Sequence, residues 1–158
     1  MGATPAGVEP QEETLPVERG AGEGAGAELP AGGAPTKVVC KDYAYRRNIW
    51  TAGRTQYIVI DTNSWEILEP TRRERSRSKA HGVDIYCLDE ETWGRVIVVK
   101  LERSNSGKLR YNITTYSEKV IRYAVDLEIF LARSKDFEHM KEIVSKYVEI
   151  QRLLNVSG

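Results

Sequence analysis

From residue 38 onward, hydrophobic and polar positions mark a series of strands followed by helices. Residues 38–45 read as a strand, and 57–61 (YIVID) as a short apolar one. Residues 65–68 continue it after a turn at 62–64. Residues 70–82 (PTRRERSRSKAHG) contain no large hydrophobe and no apolar period, which predicts a loop. Residues 83–88 form the next strand, and 89–94 a turn or short helical piece carrying Trp93. Residues 95–103 (RVIVVKLER) are a strong strand. Ser104-Asn105-Ser106-Gly107 supplies a hairpin loop with Gly107 available for positive φ, and 108–116 return as the partner strand. On that strand Leu109, Tyr111 and Ile113 point one way, while Lys108, Arg110, Asn112 and Thr114 point the other. Such alternation sets one face on a core and the other in water. The sheet is expected to keep an open, partly basic face.

Two helices follow. Ser117 is the candidate N-cap of a helix to about residue 133, with Val120, Ile121, Ala124, Val125 and Glu128/Leu131 as its stripe near a 3.6 period. Ser134 is the candidate cap of a second helix to about residue 155. In it Met140, Ile143, Tyr147, Ile150 and Leu154 follow a three-four spacing, and Phe137, Val144, Val148 and Leu153 widen the stripe. This stripe fits one broad core face. It equally fits a sheet-covering face beside a seam that pairs two copies through residues 135–155. Strands followed by helices give an α+β class: a small antiparallel β-sheet with helices packed on one face, ending in a long C-terminal helix.

Residues 1–36 are almost all Ala, Gly, Pro and Glu and contain no aromatic residue. They cannot bury enough apolar surface to offset ordering entropy, so a disordered tail is expected, with 37–158 as one domain. Net charge is zero but unevenly divided. The tail has six glutamates and one base, residues 37–110 have fifteen bases and ten acids, and 111–158 balance at seven and seven. All three Trp lie in the basic stretch. An acidic tail is thus joined to a basic, aromatic-rich body. There is no long apolar run for a membrane span and no secretory signal, so a cytoplasmic protein is expected. Cys40 and Cys87 read as small buried hydrophobes, with a disulfide left open. With His81 and His139 they show no close ligand pair, so neither a zinc site nor a cofactor is expected. Charged residues at 29%, with Asn and Gln scarce, lean towards a thermophile.

The sharpest enzyme-like segment is Ile58-Val59-Ile60-Asp61-Thr62-Asn63-Ser64-Trp65. It resembles the opening strand of a PIN-type nuclease, in which an Asp at the strand end binds a divalent metal. Such a domain would continue with alternating helices and parallel strands, and this chain does not. Asp61 is therefore read first as a turn residue, with a metal-dependent nuclease as the alternative. No phosphate-binding loop and no Ser-His-Asp set is found. Asp89-Glu90-Glu91 reads as a solvated helix start. A non-enzyme is expected.

Binding chemistry is the stronger signal. Arg72, Arg73, Arg75, Arg77 and Lys79 crowd one segment, in the same stretch as Arg46, Arg47 and Arg54. This is either a solvated charged loop or a phosphate-binding one. Tyr43, Tyr45, Trp50, Tyr57, Trp65 and Trp93 are each either core or stacking rings. Tyr45-Arg46-Arg47-Asn48-Ile49-Trp50 places rings beside cations and is hardly apolar enough to be wholly buried. Cations for phosphates and flat rings for bases are what a single strand requires.

This layout resembles the ThermoDBP family of single-stranded DNA-binding proteins from Thermoproteales, which are crenarchaea. The likeness is carried by residues 45–50, the basic segment 72–79, the hairpin 95–116 and the seam 140–154, and covers about 37–155. It implies a small antiparallel sheet backed by helices and a basic, hydrophobic cleft for the strand. It also implies a homodimer built on the C-terminal helix, and a role in DNA replication and repair. The expected function is sequence-tolerant binding of single-stranded DNA, with RNA kept open. Arg46, Arg47, Arg54, Arg72, Arg73, Arg75, Arg77 and Lys79 are the expected phosphate contacts, helped by Lys100, Lys108 and Arg110. Tyr45, Trp50, Tyr57 and Trp65 are the expected stacking rings. Met140, Ile143, Tyr147, Ile150 and Leu154 are the expected dimer seam. A protein-interaction adaptor acting through the two helices is the remaining rival.

Overall fold

A computed structural model describes residues 37–47, 50, 52–75 and 81–157. The tail 1–36, and Arg77 and Lys79 within 76–80, lie outside the described residues. The elements are β1 (Val38–Arg46), β2 (Arg54–Asp61), β3 (Glu66–Leu68), β4 (Arg72–Arg75) and β5 (His81–Asp89). They continue with α1 (Glu90–Trp93), β6 (Val96–Arg103), β7 (Leu109–Thr115), a 3-10 turn (Glu118–Val120), α2 (Ile121–Leu131) and α3 (Phe137–Ser157). The fold is α+β, with every strand pair antiparallel.

The strands form two sheets rather than one: a three-stranded sheet in the order β1-β5-β4 and a four-stranded sheet in the order β3-β2-β6-β7. Ile58, Ile60, Ile97, Val99 and Leu101 of the larger sheet pack on Val120, Leu127, Leu131, Phe137, Met140, Val144, Tyr147 and Val148. Leu109, Tyr111 and Ile113 join this core, as their alternation predicts. The opposite face of the larger sheet is not simply open. Val59, Val96 and Val98 pack on Tyr86 and Trp93, with Val39, Tyr43 and Leu88 of the smaller sheet alongside. Three layers result: helices, larger sheet, smaller sheet. Val96, Ile97, Val98 and Val99 are consequently all buried, without alternation. Only the part of that face carrying Arg110 and Asn112 retains the expected exposure.

The segment read as a loop at 70–82 contains strand β4, which pairs with β5 from Arg72↔Ile85 to Arg75↔Gly82. All four β4 residues are exposed. An edge strand needs no apolar period, because the ladder bonds form it and charged side chains protect its free edge.

The helices also depart from the expected phasing. The buried side of α2 is Leu127 and Leu131, following Val120, whereas Ile121 and Val125 are 45% and 47% exposed. Ser117 caps the 3-10 turn through the Lys119 amide. The first turn of α3 is capped by Asp136, which accepts from the His139 amide at 2.8 Å, while Ser134 donates instead to the Leu131 carbonyl. Asp89 caps α1 through the Thr92 amide, so the Asp89-Glu90-Glu91 group is the helix start it was read as.

Cys40 and Cys87 are register partners on β1 and β5 and form a disulfide. The Cys87 amide is turned the other way, donating to Thr71 Oγ1 at 2.9 Å. The pair therefore occupies a non-hydrogen-bonded position between β1 and β5, where facing side chains come closest. Neither cysteine is free. No helix among the described residues is long and apolar enough to cross a membrane.

Candidate nucleic-acid interface

Pairing register gathers most of the expected site at one end of the sheets. One row runs Arg75–Gly82–Tyr45 across the smaller sheet. Two residues beyond Tyr45, Arg47 bridges to Arg54, and the row continues Arg54–Arg103–Leu109 across the larger sheet. Lys100, Lys108 and Arg110 border the same end, with Glu102 paired to Arg110 in register. Cations thus outnumber carboxylates here although the whole chain is neutral.

Alternation decides which of these side chains look inward. Val39 and Tyr43 of β1 and Tyr86 and Leu88 of β5 pack towards the larger sheet. By period two, Tyr45, Gly82 and Asp84 share that inner face, together with their partners Arg73 and Arg75. Arg46 and Arg72 fall on the outer face, and Arg72 ion-pairs with Glu74 at 3.4 Å. Gly82 leaves room for the Tyr45 ring. A Cβ there would lie 2.4 Å from the Tyr45 ring, which occupies the space above the glycine.

The inner face thus carries two adjacent rows, Tyr43–Asp84–Arg73 and Tyr45–Gly82–Arg75. Tyr43 stacks at a tilt on Tyr57 with centroids 4.9 Å apart, and Lys100 Nζ lies 5.9 Å from the Tyr57 ring. Tyr43 and Tyr116 are linked through their hydroxyls at 3.0 Å. Lys41 lies over both Tyr116 and Trp93, 4.5 and 5.2 Å from their centroids, so that cation is held within the fold. Burial raises the Asp84 carboxyl above its ordinary value, against the opposing pull of Arg73. Burial and then the Asp84 charge push the Tyr86 phenol up to about 12.

Trp50 stands at this end, on the connection between β1 and β2, and is 90% exposed. The base of that connection is fixed. Arg47 and Arg54 bridge across it, and Arg103 donates from Nε to the Ala52 carbonyl at 2.9 Å and again from Nη2. Ala52 adopts φ 63, a left-handed conformation that a residue with a Cβ rarely takes. The Arg103 clamp offsets that cost.

Several expected contacts are elsewhere. Trp65 is 4% exposed and packs edge-on against Tyr123 and Tyr147, so it cannot stack on a base. Its backbone is left-handed at φ 56, and Arg152 of α3 holds it by donating twice to the Trp65 carbonyl. Trp93 is likewise core, its indole donating to the Val39 carbonyl. Arg54 turns to the helix side, pairing with Glu138 at 3.1 Å and lying 4.7 Å from the Phe137 ring. Met140 and Tyr147 are buried at 0% and 6%, which removes them from any seam between copies. Burial, and then the charge of Asp126 to which its hydroxyl donates, raise the Tyr147 phenol above its ordinary value. Ile143 is half-buried, whereas Ile150 and Leu154 are 53% and 60% exposed.

Asp61 ends β2 and opens the turn that follows, its carbonyl accepting from the Trp65 amide. It is 7% exposed, accepts from Arg95 at both oxygens, and accepts from the Asn63 amide at 2.8 Å. The Arg95–Asp61 hydrogen bond raises the guanidinium's pKa. Both carboxylate oxygens are thereby engaged by the chain itself. A depression of about 380 Å³ lined by Lys135, Asp136, Glu138, His139 and Glu142 lies at the start of α3, where Glu138 also pairs with Arg54.

Residues that the sequence reading passed over are Asp84, Gly82 and Arg103. A glycine inside a strand two positions from an aromatic row is a legible sign of close approach. Nothing local singles out Asp84. No family model, curated protein or solved structure matches the chain.

Proposed function

We propose that the chain binds single-stranded nucleic acid, DNA rather than RNA, across the basic end of its two sheets, and that it holds the strand without altering it. The observation that carries this reading is the paired row from Arg75 to Leu109. It brings exposed Trp50, half-buried Tyr45 and Tyr57, and a set of arginines and lysines to one end. Phosphate contacts come from Arg47, Arg75, Lys100, Lys108 and Arg110. Bases stack on Trp50 and Tyr45, each such contact contributing about 1–3 kcal/mol. Tyr57 supports the face from beneath through Tyr43. The reading agrees with the single-strand-binding family that the sequence layout resembles.

Two copies associate through the helix face that the core leaves in water. That face is Ile150, Leu153 and Leu154 on α3, with Ile121, Val125 and Ile129 on α2, all 45–62% exposed. Of the expected seam this face keeps Ile150 and Leu154 and leaves out the buried Met140 and Tyr147.

Fluorescence anisotropy with single-stranded DNA, duplex DNA and RNA over a salt series tests the function. Four to six phosphate contacts give a slope of log K against log salt of about −3 to −4, from roughly −0.7 per contact. A slope near zero, or equal affinity for duplex, contradicts the reading.

A further inference from the structure

Asp84 is out of place on a phosphate-binding face. Its Oδ1 is buried and is the one such side-chain polar atom among the described residues without a hydrogen bond. Native folds leave few such groups, and each calls for an explanation. Arg73 Nε is 3.8 Å away, near enough to balance charge but too far to hydrogen-bond, and Arg73 also reaches Glu69 at 3.3 Å. Burial penalises the carboxylate further. An apolar or amide side chain would suit the fold better at this position.

Its neighbours give the carboxylate a use. Asp84 is paired with Tyr43 on one side and Arg73 on the other, and the next row places the Tyr45 ring over Gly82. Tyr45 pairs with Gly82, two residues along β5 from Asp84, so a base stacked on that ring would lie one register row from the carboxylate. Because Arg73 balances the charge, the carboxylate does not repel the strand, yet its oxygen still lacks a donor. Among the bases, guanine alone aims two adjacent N–H donors, N1–H and N2–H, from its Watson–Crick edge. A carboxylate is an acceptor with two oxygens and matches that pair. Thymine offers one N–H flanked by two carbonyl oxygens, which a carboxylate disfavours.

We propose that Asp84 is a specificity-determining residue that gives this face a preference for guanine at one position of the bound strand. Elsewhere the strand is held through phosphates and stacking, so the preference is confined to that position.

The test uses the full chain and labelled oligothymidylates of about twelve nucleotides, within the usual span of such sites. One central thymine is replaced by guanine or by hypoxanthine, which lacks the N2 amine. Guanine is expected to tighten binding about tenfold, the usual worth of a bidentate contact, and hypoxanthine to lose most of that gain. Asp84→Asn is expected to abolish the difference while still binding oligothymidylate, with thermal melting as the check on folding. The hypoxanthine comparison needs no variant and stands even if Asp84→Asn fails to fold. Equal affinity for thymine and guanine, stronger gain from adenine or cytosine, or a preference that survives in Asp84→Asn overturns the assignment. Guanine preference presupposes strand binding at this face, so the two failures differ. Binding of every oligonucleotide alike overturns only the role of Asp84, whereas binding of none overturns both.

Discussion

Trp50 and Trp65 carry the same side chain in opposite surroundings, and replacing each by alanine should affect different properties. Trp50 is 90% exposed and Trp65 4%. Removing the Trp65 ring empties a space between Tyr123 and Tyr147, whose centroids lie 4.9 and 6.0 Å away. Truncating a buried aromatic of this size costs about 3–5 kcal/mol. For a domain of this length that lowers the melting temperature by roughly 10–20 °C. With its ring 90% exposed, Trp50→Ala should cost far less stability than Trp65→Ala. If the ring stacks on a base, however, binding should lose about 1–3 kcal/mol. That is a Kd increase of roughly 5- to 150-fold, at 1.4 kcal/mol per factor of ten. Calorimetric melting and anisotropy with single-stranded DNA read the two effects separately. An unchanged Kd for Trp50→Ala would refute stacking, and a fall in melting temperature matching that of Trp65→Ala would refute its placement at the surface.

The Cys40–Cys87 disulfide spans 47 residues, so the chain-entropy model gives it about 4 kcal/mol. Reduction by a dithiol, or Cys87→Ser, should lower unfolding stability by that order in urea titrations, and identical curves for oxidised and reduced protein would contradict it. Asp84 has a raised carboxyl pKa in the folded state, so the folded chain retains a proton that the unfolded chain releases. Stability should therefore fall as pH rises from about 3.9 through the raised value. Asp84→Asn should flatten that limb, and parallel stability profiles for native and variant protein would exclude the effect. Ile150→Glu with Leu154→Glu should convert a dimer into a folded monomer by light scattering, because carboxylates would enter an apolar contact. A native protein that is already monomeric at micromolar concentration would rule out the association.

The strands were legible where burial imposed a period. Leu109, Tyr111 and Ile113 alternate and face the helix core as expected. The second sheet was not, although the unbroken run Val96-Ile97-Val98-Val99 signals a strand covered on both faces. Strand β4 left no apolar trace, because an exposed edge is held by its backbone. On α2, Ile121 and Val125 form an apolar spacing as good as Val120, Leu127 and Leu131, and only tertiary contact selects between them. Trp50 and Trp65 both sit in mixed polar surroundings along the chain, and their fates diverge through Tyr123, Tyr147 and Arg152, all far away in sequence. The disulfide depended on the β1–β5 register, which is likewise non-local. Composition sufficed to find the basic stretch. Sorting its arginines into inner and outer faces required the pairing.

That sorting gives the most direct test of where the strand lies. Arg75 shares the inner face of the smaller sheet and Arg110 the partly open face of the larger one, whereas Arg46 and Arg72 point outward. Arg75→Glu/Arg110→Glu and Arg46→Glu/Arg72→Glu change net charge equally. At about 0.15 M salt the Debye length is roughly 8 Å, so contact rather than overall charge decides the outcome. Affinity for single-stranded DNA is predicted to fall at least about tenfold for the inner pair and less than about threefold for the outer pair, from the loss of about two phosphate contacts against none. Equal losses in the two variants, or a larger loss in the outer pair, would contradict a strand bound across the basic end of the two sheets.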